Sequence, residues 1–88
     1  MFYVYVLTMN NEEIYIGFST NLKNRIKQHY ENKVISTKNR EPKLVYYEAY
    51  KSKKDAMERE QKLKQRGNAK RWLKERISNS LNQTTNKE

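Results

Sequence analysis

Two stretches decide the fold: Phe2-Tyr3-Val4-Tyr5-Val6-Leu7 and, a short connection later, Ile14-Tyr15-Ile16-Gly17-Phe18. Both are built almost wholly from aromatic and branched aliphatic residues, the types that fill a pleated, half-buried surface. The mostly polar connection Thr8-Met9-Asn10-Asn11-Glu12-Glu13 is too short for a crossover, so the pair reads as an antiparallel hairpin. Strand alternation puts Tyr3, Tyr5 and Leu7 on one face with Tyr15 and Gly17. Val4, Val6, Ile14 and Ile16 face the other layer.

Outward from the hairpin, Ser19 or Thr20 is expected to cap a helix running to about Glu31. Its apolar positions are Leu22 and Ile26, with Arg25 and His29 beside that stripe. Residues 32–42 lack a period and contain Asn32, Ser36, Asn39 and Pro42, which marks a loop. Leu44 to Tyr50 is a third strand. Ser52 with Asp55 forms an N-terminal cap for a helix from Lys53 to about Arg66, and Gly67 suits the residue just past its end. The inward stripe of that helix is Ala56, Glu60 and Leu63, with Met57 alongside. A last helix over residues 69–79 presents Trp72, Leu73 and Ile77. The expected fold is α/β in the α+β sense, with a small three-stranded antiparallel sheet flanked by helices in the order ββαβαα. Residues 1–80 are expected to form one domain, and the polar residues 81–88 a frayed tail.

With 88 residues the chain has material for one hydrophobic core. Cysteine is absent, which excludes disulfides, thiol chemistry and cysteine-held zinc or iron–sulfur sites. The single histidine excludes multi-histidine metal centres, so any metal must be a hard ion such as Mg2+ or Mn2+ held by carboxylate, water and phosphate. The longest apolar run, Met1–Leu7, falls far short of a membrane span and has neither a basic leader nor a cleavage site. The expectation is a cytoplasmic protein, nucleoid-associated or free, without membrane contact and monomeric. Nineteen Lys and Arg against ten Asp and Glu give a net charge of +9, which points to a polyanion partner. The basic residues are spread over successive segments: Lys23, Arg25 and Lys27, then Lys38, Arg40 and Lys43, then Lys62, Lys64 and Arg66. That spread suits a folded binding face better than a basic tail.

Three features do not fit a purely structural role. Glu60 stands where the second long helix should carry a core leucine, so its carboxylate must be ion-paired, metal-bound or shifted in pKa. Arg25 has the matching position on the first long helix and can pack its stem at the core edge or clamp a phosphate. His29, one turn on, is either a satisfied structural residue or a partner of Arg25. Seven tyrosines, several in strands on overlapping faces, are either ordinary core packing or a phenol patch near a carboxylate and an arginine.

These residues resemble the GIY-YIG nuclease superfamily, especially its small single-domain bacterial members. The first motif is present in altered form as Tyr3-Val4-Tyr5 and the second is intact as Tyr15-Ile16-Gly17. Asn21-Leu22-Lys23-Asn24-Arg25 resembles the family's turn into its arginine helix, and Pro42-Lys43-Leu44-Val45-Tyr46-Tyr47-Glu48 its third strand. Ala56, Arg59-Glu60, Leu63 and Lys64 match its glutamate helix. Phe18 stands where some members have lysine, and Asn68, Asn79 and Asn82 are candidates for a late asparagine many members carry. The resemblance implies a metal-dependent endonuclease of low sequence specificity that hydrolyses DNA phosphodiester bonds, with repair, recombination and a mobile element all open as its setting. Tyr5 would help place the water, Tyr15 would act as general base, and Arg25 and His29 would neutralise phosphate charge. Glu60 would hold one Mg2+ or Mn2+ ion, and Gly17 would allow close backbone approach. Lys23, Lys27, Lys38, Arg40 and Lys64 are the candidate DNA contacts. The other reading is a DNA-binding protein that keeps the nuclease fold with weak or no cleavage, and a third is a basic interaction protein with no nucleic-acid role.

Overall fold

The computed structural model describes residues 1–65 and 67–85. Strands β1 (Phe2–Thr8) and β2 (Ile14–Ser19) form the expected hairpin, and β3 (Lys43–Tyr50) joins the other edge of β1. The sheet has the order β2-β1-β3 with both pairings antiparallel. The central strand is β1, and Val4, Tyr5, Val6 and Leu7 are all buried, because both of its faces are covered. Tyr5 lies opposite Gly17 on one side and Tyr47 on the other. Between Val6 and Leu7 the β3 register shifts, since Val6 pairs with Tyr46 but Leu7 with Leu44. Val45 is the extra residue, and this bulge reverses the facing of β3 beyond it.

The sheet separates two cores. Val4, Val6 and Ile16 pack with Ala56, Leu63, Leu73 and Ile77, which come from α2 (Lys53–Lys64), α3 (Asn68–Arg76) and the junction before α4 (Ser78–Thr85). On the other face Tyr5 and Leu7 pack with Ile26 of α1 (Leu22–Tyr30), joined by Tyr15, Leu22 and Leu44. Among the described residues one short helix, α1, covers this second face, and Tyr47 on it is 52% exposed.

The structure corrects several local expectations. The cap of α1 is Asn21, not Ser19 or Thr20: Asn21 Oδ1 accepts from the Asn24 N–H at 3.1 Å. Ser19 is still the end of β2 and instead accepts from the Asn21 N–H at 3.0 Å. Ser52 caps α2 as expected, accepting from the Asp55 N–H at 3.2 Å. That helix ends at Lys64. Gly67 immediately precedes α3, with φ of 146°, a conformation that glycine alone adopts without strain. The expected last helix is two helices. Ile77 breaks the run, with its side chain buried, and α4 turns so that Leu81 also packs on the first core. Serine and asparagine around the break compete for backbone hydrogen bonds and weaken a continuous helix. The supposed tail is therefore helical through Thr85, and residues 86–88 lie outside the described residues. Loop 32–42 contains a single 3-10 turn, Ile35–Thr37, whose Thr37 is buried.

Candidate functional site

The half-open face of the sheet gathers four of the five residues expected at a site. Tyr5 comes from the central strand, and its ring leans across the pairing onto Gly17. A Cβ at Gly17 would lie 2.7 Å from Tyr5 Cε1 and closer still to Cζ and the hydroxyl. The glycine is thus required to admit the Tyr5 ring, a role different from the backbone approach expected for it. Asn21 sets the start of α1, and the helical repeat then aims Arg25 and His29 at the same phenol. Arg25 Nε donates to Tyr5 Oη at 3.4 Å, and Arg25 Nη1 donates to Gln28 Oε1 at 3.0 Å. His29 Nε2 is hydrogen-bonded to Tyr5 Oη at 2.8 Å, and Nδ1 to Thr37 Oγ1 at 2.8 Å. Tyr15 closes the cluster, with its ring centroid 6.2 Å from that of Tyr5 and 5.2 Å from that of His29.

Electrostatics follow from burial. Desolvation pushes the Tyr5 phenol up to about 12, against the lowering effect of Arg25. Desolvation and the Arg25 charge together hold His29 down at about 4. The hydrogen bond to Tyr5 holds the Arg25 guanidinium above its ordinary value. Tyr5 is therefore a neutral phenol and His29 a neutral imidazole near neutral pH. A neutral imidazole offers one donor and one acceptor, which matches its two neighbours, Tyr5 and Thr37. His29 is fully buried, so in this arrangement it positions Tyr5 and does not face a phosphate. The partly exposed Arg25 is the cation that faces outward beside the two phenols.

Glu60 is joined to this cluster by no hydrogen bond or ion pair among the described residues. It points inward between Ala56 and Leu63, as its spacing requires, with its side chain 14% exposed. But α2 packs on the opposite face of the sheet from α1. Its carboxylate lies 3.0 Å from Lys64 Nζ, which supplies the charge partner a half-buried carboxylate needs. Lys64 is thereby engaged. Arg40 is engaged too, with Nη2 2.9 Å from Glu13 Oε1 of the hairpin connection. Lys23, Lys27 and Lys38 are exposed and make no ion pair among the described residues. Among the described residues there is also no cluster of three His, Asp or Glu side chains able to hold a metal.

Two contributors are invisible in the sequence. Thr37 sits in a loop with no helical period, and only the tertiary fold brings it to His29. Tyr47 is placed by the β3 bulge on the open face, 52% exposed, opposite Tyr5 and 6.1 Å from the Tyr3 ring. Tyr3 and Tyr47 so form an aromatic strip beside the phenol cluster. A tyrosine half exposed on a sheet is the one signal that could have pointed to it, and exposure requires the bulge to be known.

A tyrosine pair over a strand-paired glycine, with an arginine from the next helix, is an arrangement with a family behind it. The model of the GIY-YIG catalytic domain matches residues 1–74. The chain belongs to the GIY-YIG superfamily. Within this superfamily it is similar to a UPF0213 protein of Clostridium perfringens, 41% identical over 66 residues that make up 73% of this chain and 71% of the relative. A UPF0213 protein of Natronomonas pharaonis is 39% identical over 71 residues, 78% of this chain and 84% of that one. A third, from Staphylococcus haemolyticus, is 41% identical over 64 residues, 70% of this chain and 78% of the relative. No solved structure gives a significant match. In this GIY-YIG domain the two motif tyrosines, the motif glycine and the helix arginine are assembled, and the glutamate is ion-paired with Lys64.

Proposed function

We propose that the chain is a DNA-binding protein that keeps the GIY-YIG nuclease fold and cleaves weakly or not at all. The observation that carries this reading is the arrangement of the five motif residues. Tyr5, His29 and Thr37 are closed into a hydrogen-bonded network that Arg25 joins through Nε, while Glu60 is ion-paired with Lys64. Such a site presents to a phosphate the partly exposed Arg25 and Tyr15, with the exposed Lys23 and Lys27 on the same helix as Arg25. The net charge of +9 adds an attractive field over the whole surface. Tyr47, half exposed on the same face of the sheet, supplies aromatic surface of the kind nucleic-acid sites commonly use.

The second reading is metal-dependent cleavage, and the near-buried carboxylate of Glu60 favours it. A hard carboxylate suits Mg2+ or Mn2+, which would supply charge stabilisation at a scissile phosphate. The Lys64 ammonium occupies that carboxylate here, and among the described residues no group of three His, Asp or Glu side chains surrounds it, so the residues as arranged fit the ion poorly. One experiment separates the two readings. Labelled duplex, nicked, branched and single-stranded DNA are incubated with the protein in Mg2+, Mn2+ or EDTA, in parallel with Glu60→Gln. The binding reading expects retention of DNA in EDTA, little or no cleavage, and equal or tighter binding by the variant. Metal-dependent cleavage that falls by orders of magnitude in Glu60→Gln would replace it with the enzyme.

A further inference from the structure

Helix α3 carries the only tryptophan of the chain, and Trp72 is 59% exposed. Its neighbour Leu73 is buried in the first core, so the helix is docked and Trp72 is held outward by that docking. Trp72 makes no hydrogen bond or ring contact among the described residues. It borders a groove between α2 and α3 that is lined by Arg59, Ala69, Trp72, Leu73, Glu75 and Arg76. Four basic residues, Lys70, Arg71, Lys74 and Arg76, share this nine-residue helix with a single acidic one, Glu75. None of the four forms an ion pair among the described residues. Arg59 at the groove wall uses Nε and Nη2 on Glu48, so its guanidinium is held rigidly at the edge.

An indole left in water beside unpaired cations forgoes the gain its burial would give. A second copy of this chain is a poor cover, because it would set one basic helix against another in a chain of charge +9. A polynucleotide strand meets both demands: phosphates for the cations and the π-face of a base for the indole. We propose that the Trp72 groove is a second nucleic-acid contact, in which a base stacks on Trp72 while Arg71 and Arg76 hold the flanking phosphates. It lies on the opposite side of the sheet from Arg25, so a bound strand that reaches both must pass around the edge of the domain. The inference rests on the DNA-binding reading above.

The sole tryptophan provides its own reporter. The full chain is titrated at low salt with a dye-labelled single strand of about 12 nucleotides, a length one such surface can span. Dye anisotropy reports binding, and emission excited selectively from Trp72 reports stacking. Inorganic polyphosphate serves as the anion without bases. The expected result is loss of at least half of the Trp72 emission with DNA and little change with polyphosphate. Trp72→Ala should weaken binding about tenfold with an unchanged melting temperature, and Trp72→Phe should recover most of it. Binding seen by anisotropy with unmoved Trp72 emission, and with Trp72→Ala binding as the native chain does, would overturn the inference and leave the DNA-binding reading standing. Equal quenching by polyphosphate would likewise overturn base stacking. No binding at low salt would overturn the DNA-binding reading itself.

Discussion

A single methyl group added at Gly17 would run into the Tyr5 ring, which fills the space a side chain would take. Tyr5 is itself held by Arg25 and His29, so the ring has no free direction in which to yield. Gly17→Ala should therefore cost about 3 kcal/mol, the upper range for overpacking a core, and urea unfolding measures it. An unshifted midpoint would show that the ring can move aside. His29 makes the second residue-level forecast. Its ordinary pKa of 6.5 falls to about 4 in the fold, so the unfolded chain binds the proton more readily. The stability it confers is present above pH 6.5 and is lost as pH falls through about 4. The shift corresponds to about 3 kcal/mol at most. Unfolding free energies of the native chain and of His29→Gln, compared between about pH 7 and about pH 4.5, should converge as pH falls. A constant difference would assign the stability to packing alone.

Among the elements, α2 is fastened to β3 by a polar clamp. Arg59 Nε and Nη2 donate to Glu48 Oε1 and Oε2 at 2.9 and 3.0 Å, Tyr46 Oη donates to Oε2 at 2.6 Å, and Tyr50 Oη donates to Oε1. Burial alone would raise the Glu48 carboxyl, but the bonds from Arg59, Tyr46 and Tyr50 outweigh it and hold the group below its ordinary range. Burial and the bond to the carboxylate push the Tyr50 phenol up to about 12. Arg59→Ala leaves a partly buried carboxylate with only phenol donors. The expected loss is about 2–3 kcal/mol, that of hydrogen bonds to a charged group. A double-mutant cycle with Glu48→Gln should return most of that loss as coupling, and additive losses would show that the pair acts independently. The helix period made α2 easy to find, yet Arg59 gave no sign of its partner. Glu48 is eleven positions away, and only the β3 bulge turns it toward α2.

For the whole molecule, the proposed DNA binding predicts an affinity strongly dependent on salt, because the charge is spread over several elements. Contacts from Lys23, Arg25 and Lys27 alone imply a slope of about −3 for log affinity against log salt on duplex DNA. Replacing Lys23 and Lys27 by alanine should flatten it by about 2, and a native slope near zero would count against phosphate contacts from α1. The hairpin, the helix starts near Asn21 and Ser52, and the inward position of Glu60 could all be read from local pattern. Side-chain alternation and the helical repeat act over a few residues and are written directly in the chain. The motif tyrosines, Gly17 and Arg25 were legible for the same reason, since one strand pair and the following helix bring them together. What only the tertiary structure decided is which side of the sheet each helix takes. An inward-facing stripe has the same periodicity on either face, so α2 could be read as amphipathic but not as packing across the sheet from α1. The burial of His29 against Thr37, the exposure of Tyr47 and the break at Ile77 likewise depend on packing between distant segments, which no local pattern encodes.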